Sequence, residues 1–302
     1  MSQLKRPELL LNRLDWTVLR RLEGLYPGEY STLFRGGGLD LADLREYQPA
    51  DDVRHIDWNV TARLQHPYIR IFHEDRELTA WFLVDLSGSL DAGWTETRKR
   101  DVALQFTALL ARVLSRHGNR VGAILFGYGS TEVISHAGGR LQVLRIVRRL
   151  MSRTQEDQTE GTDLNAALMT AGRTIRRRSL LFLISDFVSS TVWSSSLGRL
   201  SMRHETIACR VVDPMERSLP DMGIMVVQDA ETGEQVFVDS TQARVREAYD
   251  AAAIAEDEAI EAGLANSGVD CIEISTQDDP VDVLLRFSLI RKTKAQTAPQ
   301  EV

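Results

Sequence analysis

Apolar runs without alternation recur along this chain, and stretches with helical spacing lie between them. The runs are Ala80–Val84, Arg120–Phe126 and Ser179–Ile184, with Thr206–Val212 a further strand ending at Asp213-Pro214. They have the pattern of parallel strands covered on both faces by helices. Between them, Thr97–His117 carries Val102, Phe106, Leu109, Leu110, Val113 and Leu114 on one helical face, with Gly118 placed to end the helix. Leu141–Met151 reads as a helix with the stripe Leu141, Leu144, Val147 and Leu150. Leu164, Leu168, Ala171 and Ile175 mark another, with Asp163 as its N-cap. Thr131–Ser135 pairs back onto the second run across the turn Gly127–Gly129. A short helix over Val192–Met202, a hairpin over Ile224–Asp239, an acidic helix over Ala243–Leu264, a strand over Val269–Ser275 and a helix over Val281–Ile290 follow. This alternation predicts an α/β fold with a doubly wound, mostly parallel sheet flanked by helices.

The first 78 residues break that rhythm. Leu14–Leu25 has the spacing of a short amphipathic helix, and Gly36-Gly37-Gly38 reads as a flexible turn, since no phosphate-loop lysine follows it. Pro67–Phe72 alternates β-branched and aromatic residues, which predicts an antiparallel strand added at the edge of the sheet. Arg54, Asp57 and Trp58 are expected to dock this segment, the indole acting as anchor. The expected organisation is an N-terminal segment, 1–78, packed on a main domain, 79–292, with a frayed tail at 293–302.

Composition narrows the class. Of 302 residues 43% are apolar, enough for a proper core, and the formal net charge of −7 argues against nucleic acid or an anionic membrane as partner. No apolar run approaches the length of a membrane span, and the start lacks the apolar segment of a signal peptide. The two cysteines, Cys209 and Cys271, each sit in a strand-like run and read as buried free thiols. That usage points to a reducing cytoplasm.

The chemistry gathers where the first apolar run ends. Asp85, Ser87 and Ser89 offer hard oxygen ligands at i, i+2 and i+4, with Gly88 relaxing the loop. Such a set suits Mg²⁺, which favours oxygen ligands in octahedral array; Mn²⁺ is the alternative. Thr162 precedes a later helix and Asp186 closes a later buried strand. In an open α/β sheet ligands bind beyond the carboxyl ends of the strands where strand order reverses. If the strands ending at Asp85 and Asp186 are neighbours, these donors converge. His55, Asp57 and His66 match no zinc spacing and are read as a polar network. Arg176-Arg177-Arg178 ends a helix, where cations suit the dipole.

These residues resemble the von Willebrand factor A-type domain and its metal-ion-dependent adhesion site. The resemblance implies that Asp85, Ser87, Ser89, Thr162 and Asp186 hold Mg²⁺ and leave one position for a partner's Asp or Glu. Upstream, Gly38-Leu-Asp40-Leu-Ala-Asp43-Leu-Arg45-Glu46-Tyr47 and Asp51-Asp-Val-Arg54-His55-Ile-Asp57-Trp58-Asn59-Val-Thr61-Ala-Arg63 resemble domain-of-unknown-function family 58. Members of that bacterial family are commonly encoded beside MoxR-type AAA+ ATPases, so the resemblance implies such an ATPase as partner. Many members carry membrane spans, which this chain lacks. The expectation is a cytoplasmic, non-enzymatic, Mg²⁺-dependent interaction module, monomeric on its own. The alternatives are a metal-dependent hydrolase at the same site and a purely structural cation site. No nucleophile–base pair accompanies the motif, which weighs against the hydrolase.

Overall fold

The computed structural model describes residues 7–21, 44–48, 56, 58–64, 66–70, 78–91, 97–127, 131–152, 163–189, 191–228 and 235–297. Strands β3 (Thr79–Asp85), β4 (Arg120–Phe126), β5 (Glu132–Ala137), β6 (Leu180–Ser185), β7 (Glu205–Val212) and β10 (Asp270–Ser275) form one sheet. Their order is β10-β7-β6-β3-β4-β5, parallel throughout except for the antiparallel edge strand β5. Order therefore reverses between β3 and β6, which lie side by side with Phe82 opposite Phe182. Their rings stack with centroids 5.4 Å apart.

Period-2 geometry divides the core in two. Ala80, Phe82 and Val84 of β3 face one layer of helices: α4 (Lys99–Arg116), α5 (Arg140–Ser152) and α9 (Pro280–Thr297). Trp81 and Leu83 face the other: α6 (Leu164–Thr174), α7 (Ser194–Ser201) and α8 (Ala243–Ser267). Burial on both faces is why the inner strands β3, β4, β6 and β7 are largely apolar without alternation, whereas the edge strands β5 and β10 carry exposed residues. Helix α4 is capped at its C-terminus by His117, and Gly118 follows with φ of 82°, the left-handed conformation that suits glycine.

Several expectations needed correction. The first helix, α1, is Pro7–Arg21 rather than Leu14–Leu25, and its Leu10, Leu11 and Leu14 are buried in the core with α4 and α5. In α5 the buried set is Val143, Ile146, Val147 and Leu150, an i, i+3, i+4, i+7 stripe, whereas Leu141 is 81% exposed. The segment read as an added edge strand is β2 (Tyr68–Arg70), which pairs antiparallel with β1 (Leu44–Glu46) in a separate two-stranded sheet. Trp58, first residue of helix α2 (Trp58–Leu64), is 70% exposed and so is no docking anchor; Arg54, His55, Asp57 and the glycine triplet lie outside the described residues. Helix α9 continues to Thr297, five residues into the stretch read as tail. Cys209 is buried but Cys271, on edge strand β10, is exposed; both are free. The hairpin of β8 (Ile224–Gln228) and β9 (Gln235–Asp239) and the short helix α3 (Gly88–Asp91) complete the order.

One buried titratable group in this core makes a prediction. His204, between α7 and β7, is 3% exposed, and neither ring nitrogen meets a partner among the described residues. Burial, then the Arg203 charge, holds its pKa below the usual histidine value. The unfolded chain therefore takes up the proton first. This contribution to stability is present in full above about pH 6.5 and is lost as pH falls through the lower, folded-state pKa. Urea unfolding at pH 7.5 and pH 5.5 is expected to show a stability loss on acidification that shrinks in His204→Leu. An equal loss in both proteins would show that His204 is not the titrating group.

Candidate metal site

Asp85 is the last residue of β3 and Ser185 the last of β6, so the pairing of the two strands puts them side by side. Ser185 Oγ donates to Asp85 Oδ2 at 2.7 Å, and Phe187 N donates to Ser185 Oγ at 2.9 Å. Ser87 N donates to Asp85 Oδ1 at 2.9 Å, folding the loop back over the strand end. The hydroxyls of Ser87 and Ser89 are 3.0 Å apart. Beyond Asp186 the chain turns sharply through Phe187, whose φ of 64° is unusual for a bulky residue. Its ring is buried against Trp193, centroids 5.2 Å apart, which over-determines the turn.

The loop is gripped from several sides. Leu86 N donates to Phe126 O at 2.8 Å, tying it to the end of β4. Asp91, closing α3, accepts from Arg100 Nη1 at 2.7 Å. Asp163 caps α6 by accepting from Ala166 N at 3.0 Å, and accepts a second bond from Thr191 Oγ1, also at 3.0 Å. The start of α6 and the segment after Asp186 are thereby joined. Thr162 itself lies outside the described residues.

Asp85, Ser87 and Asp186 are all buried. Burial, and then the charge of Asp186, pushes the Asp85 carboxyl up to about 7, against the bonds from Ser185 and Ser87. Asp186 has a cation of its own: Lys99 Nζ, at the start of α4, donates to Asp186 Oδ2 at 2.9 Å and to Glu216 at 2.9 Å. Burial works against the ammonium, but Asp186 and Glu216 outweigh it and push Lys99 up to about 12. Glu216 ends a 3-10 turn, Pro214–Glu216, capped by Asp213, which accepts from Met215 N at 3.0 Å. Burial raises the Glu216 pKa while Lys99 opposes the rise.

The donor set fits a hard divalent cation. Neighbouring ligands of octahedral Mg²⁺ with bonds of ~2.0–2.1 Å stand about 2.9 Å apart, close to the Ser87–Ser89 hydroxyl spacing of 3.0 Å. Asp85 has only neutral hydrogen-bond donors among the described residues, so its buried charge lacks a counter-ion. Among the described residues no group of three or more His, Cys, Asp or Glu is placed to hold a metal. Hydroxyls would therefore have to supply much of the shell. His66, expected in a polar network, is exposed and lies 3.8 Å from Glu46.

Sequence reasoning missed Lys99, Glu216 and Ser185. The usable signal for Lys99 was a cation at the start of an apolar helix, where the dipole favours an acid. For Ser185 it was a hydroxyl on the last residue of a buried strand.

Residues 43–259 match the family described as protein of unknown function DUF58. The chain belongs to that family. The uncharacterized protein Rv1480 of Mycobacterium tuberculosis is 34% identical over 290 residues, covering 96% of this chain and 91% of its own. The uncharacterized protein MAV169 of Mycobacterium avium is 33% identical over 140 residues, 46% of this chain and 81% of its own. Among solved structures the DUF58 chain is similar to an aerotolerance-related membrane protein of Bacteroides fragilis, with a TM-score of 0.49 and 14% identity over 72% of this chain and 99% of the other. BatB of Bacteroides thetaiotaomicron gives 0.48 and 14%, over 73% and 100%. The VWA domain of SpRpn10 gives 0.36 and 12%, over 70% and 94%. Among the described residues of this DUF58 chain, no helix is long and apolar enough to cross a membrane.

Proposed function

We propose that this chain is a non-enzymatic, Mg²⁺-dependent protein-interaction module of the cytoplasm, working with a MoxR-type AAA+ ATPase. The carrying observation is Asp85, a fully buried carboxylate with no cationic partner among the described residues, set beside the paired hydroxyls of Ser87 and Ser89. Asp85, Ser87, Ser89 and Asp186, with Thr162, would hold the cation. When bound there it would offer an open coordination position to an Asp or Glu of the partner. Hydrogen bonds from Ser185 and the Ser87 amide fix the orientation of Asp85, and the bond from Lys99 fixes that of Asp186. Hydroxyls and carboxylates, with no histidine bonded to them among the described residues, are poorly equipped to activate water, which favours binding over hydrolysis.

The test is capture of the purified ATPase in Mg²⁺ and in EDTA. Binding is expected to fall at least tenfold on chelation, and Asp85→Ala is expected to bind as weakly in Mg²⁺ as the wild type does in EDTA. Equal capture in Mg²⁺ and EDTA would overturn the reading, and would move the search to the exposed Arg176–Arg178 run that follows α6. Phosphoester or peptide turnover by the purified protein in Mg²⁺, lost in Asp85→Ala, would make it a hydrolase instead.

A further inference from the structure

Lys99 is a cation in direct contact with Asp186, and its position is unfavourable twice over. It is the first residue of an 18-residue helix, where the positive end of the dipole disfavours an ammonium. It is also 2% exposed, so the charge is out of water. Its neighbours Arg98 and Arg100 go elsewhere, to Asp91. Lys99 instead bridges two carboxylates from different elements, Asp186 after β6 and Glu216 in the turn after β7.

Resting on the reading of a divalent-cation site, we propose that Lys99 is a built-in counter-cation that takes one oxygen of Asp186, tethers Glu216 beside it, and holds down the site's affinity for Mg²⁺. An ammonium already neutralises Asp186, and a divalent ion arriving at the same carboxylate meets a fixed like charge across a poorly screened interior. The other oxygen of Asp186 accepts from Val188 N at 3.2 Å, so the carboxylate is fixed in orientation and cannot turn away from Lys99 at no cost. Glu216 pulls in the opposite sense. It adds a negative charge one ammonium away from Asp186, and it keeps Lys99 from lying on Asp186 alone. The pair therefore sets a level: strong enough retention to load the cation, weak enough to leave it electrophilic toward an external carboxylate.

Calorimetric titration of MgCl₂ into the wild type, Lys99→Met, Glu216→Gln and the double variant tests this, with thermal melts to confirm folding. Lys99→Met, which keeps the length and removes the charge, is expected to bind Mg²⁺ at least tenfold more tightly. Glu216→Gln is expected to bind severalfold more weakly, and the double variant to fall between the two. Wild-type affinity unchanged or weakened in Lys99→Met overturns the assignment of Lys99 while leaving the metal site standing. If Lys99→Met fails to fold, unaltered affinity in Glu216→Gln overturns it. A wild type that takes up no Mg²⁺ overturns the metal site and this inference with it.

Discussion

Asp186→Ala is expected to abolish Mg²⁺ uptake and to destabilise the protein at the same time. The two effects have separate causes. Asp186 is one of two carboxylates in the proposed ligand set, so its loss would halve the negative charge available to retain the ion. It is also the buried partner of Lys99 at 2.9 Å, with both side chains no more than 5% exposed. Removing one member of a buried pair strands the other, which typically costs about 3–5 kcal/mol. Glu216 remains for Lys99 and places the expected loss at the lower end, ~3 kcal/mol. Urea unfolding in EDTA isolates this term, because no metal contributes there. Asp186→Ala combined with Lys99→Met is expected to recover part of the stability but none of the Mg²⁺ binding. Full stability in Asp186→Ala would mean the ammonium finds another partner.

Gly127→Ala is expected to be the most damaging small substitution near the site. Gly127 follows β4 with φ of 117°, a region that residues with a side chain rarely enter. A Cβ there would stand 2.7 Å from Ser87 N and 2.8 Å from the Leu86 carbonyl carbon, both backbone atoms of the loop that carries Ser87 and Ser89. Neither can yield without moving that loop. Strain of this kind costs about 1–3 kcal/mol, and forced displacement of packed atoms about 1–3 more. The displaced Ser87 also loses its amide bond to Asp85, so Mg²⁺ affinity should fall together with stability. Unfolding curves and a Mg²⁺ titration on one preparation check both. A variant as stable as wild type would show that the two loops part easily.

How much of this was legible beforehand varies residue by residue. The strands of the large sheet and the helices α4, α6, α7 and α8 are readable because their signals are local, whereas β1 has no such signal. Alternate residues of β3 face different helical layers, so all of them must be apolar, and Asp163 caps α6 through a bond only three residues long. In α5 the expected stripe shares Val147 and Leu150 with the buried set and Leu144 packs at its margin, but a three-residue repeat drifts off the face at Leu141, where the helical spacing runs through Val143 and Ile146. The β2 strand was recognised as antiparallel, but which partner it takes is a non-local choice that alternation does not encode.

The sequence by itself determined the class of fold, placed Asp85 and Asp186 at strand ends and put Ser87 and Ser89 just beyond the first of them. Burial and backbone geometry act over a few residues and leave their mark in composition. Only the tertiary structure decided that β3 and β6 are neighbours, that Ser185 therefore holds Asp85, and that Lys99 reaches across 87 positions to Asp186 and 117 to Glu216. A buried ion pair has no sequence spacing to betray it: its partners meet because separate elements converge at one end of the sheet, and the charge that Lys99 leaves in the site is a property of that convergence.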